Sequence, residues 1–217
     1  MTEAMKAARI AGAGRAHLVE APEPAASPGF ARVRVTVAPL CTEFQDFTAG
    51  TRVGEPLGHE AVGVVEQADR GSRVRPGDRV VAMPLLGCGR CDMCRGGWYI
   101  HCPYGRTGEQ PLGTLAEAIR KPDDLLIPIP DNLDDELASL ACCALGASFG
   151  AYETAGVASS DRVLVTGLGP VGLGAVVNAA CRGAPVVAVE TGEYRSRLGR
   201  VPKSVGDGLG ISACQDR

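Results

Sequence analysis

No apolar run in this 217-residue chain approaches the roughly 18–20 residues that cross a membrane. The stretch from Met1 to Leu18 is broken by Lys6, Arg9, Gly12, Gly14 and Arg15, so the apolar core of a secretory signal is missing too. A strong charge of either sign is lacking: the net charge is −3, which leaves no global electrostatic footprint for nucleic acid. Lysine is scarce, with only Lys6, Lys121 and Lys203. Arginine stands in for it but is scattered, which fits a GC-rich gene better than an anion-binding surface. Internal repeats and low-complexity tracts are absent as well. What is present is ordinary for a globular chain: 45% hydrophobic and 22% charged residues, which excludes wholesale disorder. Nine cysteines without a secretion signal point to a reducing compartment, the cytoplasm. There, clustered thiols bind metal more often than they pair.

The length allows one or two domains. The segment Ala31–Val37 alternates with period two, placing Val33, Val35 and Val37 on one face and Arg32, Arg34 and Thr36 on the other. Pro22–Gly29 ahead of it reads as a loop. Further strands are expected at Ala61–Glu66, Arg79–Met83, Leu115–Arg120 and Leu125–Ile129, with a turn at Pro76-Gly77-Asp78. Many short strands with Gly/Pro turns predict a compact β-barrel-like domain. From Asp131 to Val157 the chain turns Ala/Leu-rich and helical, with Asp131 or Asn132 as the expected N-cap. Then a strand Arg162–Thr166, a glycine-rich turn, a helix Val171–Arg182 and a strand Pro185–Glu190 form a βαβ unit. Glu193–Leu198 starts another helix, which Gly199, Pro202, Gly206, Gly208 and Gly210 would break.

Cys88, Cys91, Cys94 and Cys102 form C-x2-C-x2-C-x7-C in a polar, glycine-containing segment. Four thiolates at such spacings suit a closed, structural Zn²⁺ site. An iron–sulfur cluster is the competitor, because Cys102 is followed by Pro103, but the last gap is seven residues rather than three. A second constellation sits at strand ends. Cys41 follows the strand ending at Val37, and His59 in Gly58-His59-Glu60 precedes the strand Ala61–Glu66. A Cys and a His at the ends of neighbouring strands can share a metal, and a catalytic zinc takes three protein ligands. The third comes from Cys142-Cys143.

Gly167-Leu-Gly169-Pro-Val-Gly172 is a G-x-G-x-x-G that follows a strand, opens a helix and precedes a second strand ending in Glu190. That context is what dinucleotide binding demands. Gly167 permits the tight turn, Gly169 the approach of a pyrophosphate, and Gly172 close helix–strand packing. Unpaired helix N–H groups would face the phosphates. Glu190 can accept hydrogen bonds from a ribose diol and repels a 2′-phosphate, so NAD is expected over NADP.

These motifs together resemble the zinc-dependent alcohol dehydrogenases of the medium-chain dehydrogenase/reductase superfamily. The resemblance covers about residues 5–198. Its landmarks stand in family order: Cys41, Gly58-His59-Glu60, Val74-Arg-Pro-Gly-Asp-Arg-Val80, the four-cysteine lobe, the helical cysteine and the glycine fingerprint. The resemblance implies a mixed α/β fold, with a GroES-like β-barrel domain followed by a Rossmann-type parallel βαβ unit. The expected domains are residues 1–155, with the structural zinc lobe at 87–103, and 156–217, with an atypical tail at 199–217.

The resemblance also implies two zinc ions. The structural ion would be held by Cys88, Cys91, Cys94 and Cys102, and the catalytic one by Cys41, His59 and Cys143, with Cys142 the alternative to Cys143. The implied reaction is NAD-linked oxidation of a small alcohol to a carbonyl, with zinc as Lewis acid. Glu60 would orient His59 or act as an alternate ligand. The family's relay Ser or Thr stands two residues after the first ligand. Here Glu43 holds that place, so Thr42 is the relay candidate with a one-residue shift, and Asp46 stands where a relay His falls. One βαβ unit is too little for a six-stranded Rossmann domain of roughly 150 residues. The chain is therefore expected to be C-terminally truncated and weakly active or inactive alone. The alternative is a non-catalytic zinc-binding fragment. Relatives of this kind are homodimers or homotetramers, but the strands that form the dimer are expected to be missing here. Neither a nucleic acid nor a membrane is an expected partner.

Overall fold

The structure is a computed structural model that describes residues 4–84, 87–104 and 113–199. Apart from Gly199, the expected atypical tail lies outside the described residues. The chain forms two compact units that divide between Ser139 and Leu140.

In the first unit, β1 (Ala4–Gly12) and β2 (Arg15–Pro22) pair as an antiparallel hairpin. The remaining elements are β3 (Phe30–Val37), α1 (Glu43–Ala49), β4 (Ala61–Gln67), β5 (Arg79–Ala82), α2 (Asp92–Arg95), β6 (Ala118–Pro122), β7 (Leu126–Pro128) and α3 (Asp135–Ala138). The strands β6-β3-β4-β5-β7 make one antiparallel sheet in that order. The β3 alternation holds: Ala31 and Val33 are fully buried, while Arg32 and Arg34 face outward to Glu66. Val33 packs with Val65, Val74, Val80, Ile119 and Leu126. Each such side chain contributes about 1.5–3 kcal/mol by leaving water.

The hydrogen-bonded sheet is open rather than a closed barrel. It is nonetheless curled. Five strands spaced about 4.8 Å would hold β6 and β7 roughly 19 Å apart if flat. Only the turn Asp123–Leu125 joins them, and the chain from Pro122 to Leu126 reaches about 14 Å at most. One bond reaches across from β6 to the far side of the sheet, where Met83 N–H extends the β5–β7 ladder to the Leu125 carbonyl at 2.9 Å. Lys121, 1% exposed, sends Nζ to the Met83 carbonyl at 3.1 Å.

Two local expectations shift. β6 starts at Ala118 because residues 115–117 bond elsewhere. Leu115 takes Ala8 N–H, Glu117 donates to the Lys6 carbonyl, and Leu115 N–H donates to Leu57. The N-cap of α3 is Asp134, not Asp131 or Asn132, since Leu133 N–H closes a turn on the Pro130 carbonyl first. The Asp134 side chain accepts Leu137 N–H at 2.7 Å. α3 is tied to the sheet through Asp135, which accepts from Thr36 Oγ1 at 2.6 Å and from Arg79 Nε at 3.0 Å.

In the second unit, α4 (Gly146–Ala155) precedes β8 (Val163–Thr166), α5 (Pro170–Cys181), β9 (Val186–Val189) and α6 (Glu193–Leu198). β8 and β9 pair in parallel, as a βαβ unit requires. Val165, Val176, Ala179, Val186 and Ala188 form the core between sheet and helix. Among the described residues no helix is long and apolar enough to cross a membrane.

Candidate functional site

The four-cysteine lobe converges. The Sγ atoms of Cys88, Cys91, Cys94 and Cys102 all lie within 4.8 Å of one another. Cys88 and Cys94 are 4.0 Å apart, and Cys91 and Cys102 are 3.9 Å apart. Zn–S bonds of about 2.3 Å place tetrahedral thiolates about 3.8 Å apart, so the donor set fits one tetrahedral ion. A multi-iron cluster would spread its thiolates around a larger core. Burial pushes the Cys94 thiol up to about 12. The Cys88 N–H, 3.3 Å from Cys102 Sγ, draws that thiol down to about 6. The Arg90 N–H lowers Cys88 likewise. The lobe thus offers thiolates of unequal readiness, and an ion bound there displaces the Cys94 proton.

The ligand atoms of Cys41, His59 and Glu60 also lie within 4.8 Å of one another. Cys41 precedes α1, and His59 precedes β4. Gly58 makes the approach to His59 possible. Its φ is +87°, and a Cβ there would lie 2.3 Å from Thr114 Oγ1. Glu60 is buried, with Oε1 3.5 Å from His59 Nε2.

The residue that sequence reading passed over is Glu43, whose side chain is 5% exposed. One of its carboxylate oxygens pairs with His59 Nδ1. The other accepts the Cys41 backbone N–H at 3.1 Å. Glu43 therefore fixes both candidate ligands at once, with His59 Nε2 turned toward Glu60. The only signal in the sequence was an acid two residues after Cys41. Thr42 is exposed at the start of α1, and Asp46 is engaged by Thr51 Oγ1 at 2.7 Å. Cys142 and Cys143 belong to the second unit, in the turn before α4, where Cys142 is buried and Cys143 half-buried.

The glycine fingerprint joins β8 to α5, with Gly169 as N-cap and Pro170 in the first turn. Gly167 has φ +84°, and a Cβ on Gly172 would lie 1.9 Å from the Gly167 carbonyl oxygen. Beside Gly169 a Cβ would meet nothing within 4 Å, which leaves room for a ligand backbone. Glu190, just past β9, accepts Leu168 N–H at 2.7 Å and Gly192 N–H at 2.8 Å. Those donors, Gly192 first, hold its carboxyl below the usual range, with Arg195 at 3.9 Å adding a smaller pull. A carboxylate has about four acceptor positions, so capacity remains for a ribose hydroxyl.

Residues 27–131 match the alcohol dehydrogenase GroES-like domain. The chain belongs to the medium-chain dehydrogenase/reductase superfamily. It is 32% identical to the L-idonate 5-dehydrogenase of Vitis vinifera, over 82% of this chain and 51% of that one. It is 38% identical to an uncharacterized zinc-type alcohol dehydrogenase-like protein of Escherichia coli K12, over 58% of this chain and 37% of that protein. A solved alcohol dehydrogenase from Thermus sp. ATN1 superposes with a TM-score of 0.81 at 31% identity, covering 96% of this chain and 62% of that one. The chain thus spans about half the length of the curated relatives it matches.

Proposed function

We propose that this chain is the catalytic-zinc and partial dinucleotide-binding portion of a zinc-dependent, NAD-linked alcohol dehydrogenase. The observation that carries this reading is the convergence of Cys41, His59 and Glu60 in front of the buried Glu43. Cys143 is our third thiolate, preferred over the more deeply buried Cys142. Zinc held there supplies a Lewis acid toward an alcohol oxygen, the chemistry that brings the pKa of water from about 16 to about 7. Glu43 holds the His59 ring in one tautomer and keeps Cys41 in place. Glu60, against Nε2, adjusts the donor set. Thr42, exposed one residue from Cys41, is our candidate to pass the alcohol proton to solvent, which its exposure supports.

The amides at the start of α5 bind a pyrophosphate, and Glu190 takes a ribose hydroxyl. Its charge disfavours a 2′-phosphate, which supports NAD. The nicotinamide supplies the hydride acceptor. None of the eight described cysteines is in a disulfide, which supports a reducing compartment such as the cytoplasm.

The test is reduction of NAD and of NADP by primary and secondary alcohols, on protein of measured zinc content. The proposal expects turnover with NAD that disappears in His59→Ala. Two zinc equivalents and dinucleotide binding without any reduction would overturn it.

A further inference from the structure

Among the described residues Arg52 is the one non-glycine with a positive φ, at 51°. That backbone is uncommon for a long side chain and persists where the surroundings over-determine it. Here the guanidinium supplies the surroundings. Its Nε donates to Glu55 Oε2 at 3.0 Å and its Nη2 to the Pro56 carbonyl at 3.4 Å. Its Nη1 lies 3.7 Å from Asp46 Oδ2. Asp46 belongs to α1, one turn beyond Glu43, while Glu55 and Pro56 lead through Leu57 and Gly58 to His59. Thr51 tightens the same junction, its N–H reaching the Asp46 carbonyl at 3.0 Å and its Oγ1 reaching Asp46 Oδ1 at 2.7 Å. The guanidinium is held more firmly protonated by Glu55 first, with Asp46 and Glu43 adding to it.

We infer that Arg52 is a positioning residue: it ties the helix that carries Glu43 to the segment that carries His59 and so sets the bond between them. Arg52 is 46% exposed, and exposed ion pairs stabilise little. Its effect is therefore on the alignment of His59 rather than on global stability. The inference rests on the metal-site reading above only for the second of two readouts.

The first readout is the NMR line of the His59 Nδ1 proton, assigned by its loss in His59→Gln. The second is affinity for cobalt(II) at the site outside the four-cysteine lobe, followed by its visible absorption. Arg52→Ala is expected to broaden the proton line through solvent exchange. It should also weaken cobalt binding about 3- to 10-fold, less than the 10–100-fold that losing a direct partner costs. Arg52→Gly relieves the backbone but lacks the fork, and it should behave like Arg52→Ala. Arg52→Lys keeps one ion pair and should fall between, and melting temperatures should stay level throughout. Unchanged readouts in Arg52→Ala would overturn the inference. So would full recovery in Arg52→Gly, or losses that track a falling melting temperature. If the unsubstituted chain shows the His59 proton but binds no cobalt outside the lobe, the metal reading fails. The inference about Arg52 is then still decided by the proton line.

Discussion

Replacing Glu43 with Gln removes a charge and little volume, and it tests how the two ligand candidates are held. The carboxylate accepts from two donors, His59 Nδ1 and the Cys41 N–H. An amide has one oxygen and one NH₂ group. The substituted side chain can satisfy one donor, but its NH₂ then faces the other. A buried donor left without an acceptor costs about 1–3 kcal/mol, and Glu43 is only 4% exposed, so little water can step in. At about 1.4 kcal/mol per tenfold, that cost becomes a loss of about 5- to 150-fold in metal affinity. Loss of a partner behind a metal ligand costs about 10- to 100-fold, inside the same range. The assay is competition for zinc against a chelator of known affinity, with the two sites separated by titration. The four-cysteine equivalent should be unchanged and only the other weakened. Glu43→Ala frees both donors and should lose at least as much. Wild-type affinity in both variants would refute the reasoning, because it would mean that neither bond matters to the bound state.

Cys94→Ser should release the lobe's ion and expose the lobe to protease while the other site keeps its zinc. Elemental analysis showing iron in place of zinc would point to an electron-carrying cluster instead. Gly172→Ala places a methyl 1.9 Å from the Gly167 oxygen, so α5 must shift. A loss of about 1–3 kcal/mol in stability is expected, with dinucleotide binding abolished, as checked by denaturant melts and fluorescence titration with NADH. Glu190 has a folded pKa held below its unfolded value by the Gly192 and Leu168 N–H groups. Its stabilising share is therefore complete above the ordinary carboxylate pKa of about 4.3 and fades as pH falls through the depressed value. Glu190→Gln should flatten that acid limb in melts run from pH 6 downward, and an unchanged slope would count against the linkage.

The parts of this molecule legible in its sequence are those whose chemistry is concentrated in short spacings. Four thiols spaced so closely from Cys88 to Cys102 point to one shared site, and the structure brings their Sγ atoms within 4.8 Å of one another. The glycine fingerprint was legible because its strand, turn and helix are consecutive. Alternation in β3 marked its buried face for the same local reason. What stayed hidden is long-range. The bond between Glu43 and His59 joins residues 16 apart, and residues 115–117 bond to Lys6 and Ala8 of β1, to Val35 and to Leu57. Curling of the sheet follows from the brevity of one turn set against the strand order, and strand order is not written in periodicity. Arg52 looked like one more scattered arginine.

The segment Cys41-Thr42-Glu43 shows what a local motif leaves out and what the fold adds. Read as a motif with one residue displaced, it suggests a relay hydroxyl and no further function for the acid. In the fold, α1 begins at Glu43, so the acid turns inward while Thr42 stays exposed. A buried acid next to a histidine requires a partner, since an unpaired buried carboxylate is costly. His59 and the Cys41 amide supply it. The acid thereby takes the positioning role, and the relay role proposed for Thr42 rests on its exposure beside Cys41. If that division holds, Thr42→Ala should lower turnover at neutral pH while leaving zinc content intact, and Glu43→Gln should lower zinc content first. The two variants separate a residue that moves a proton from one that holds a ligand.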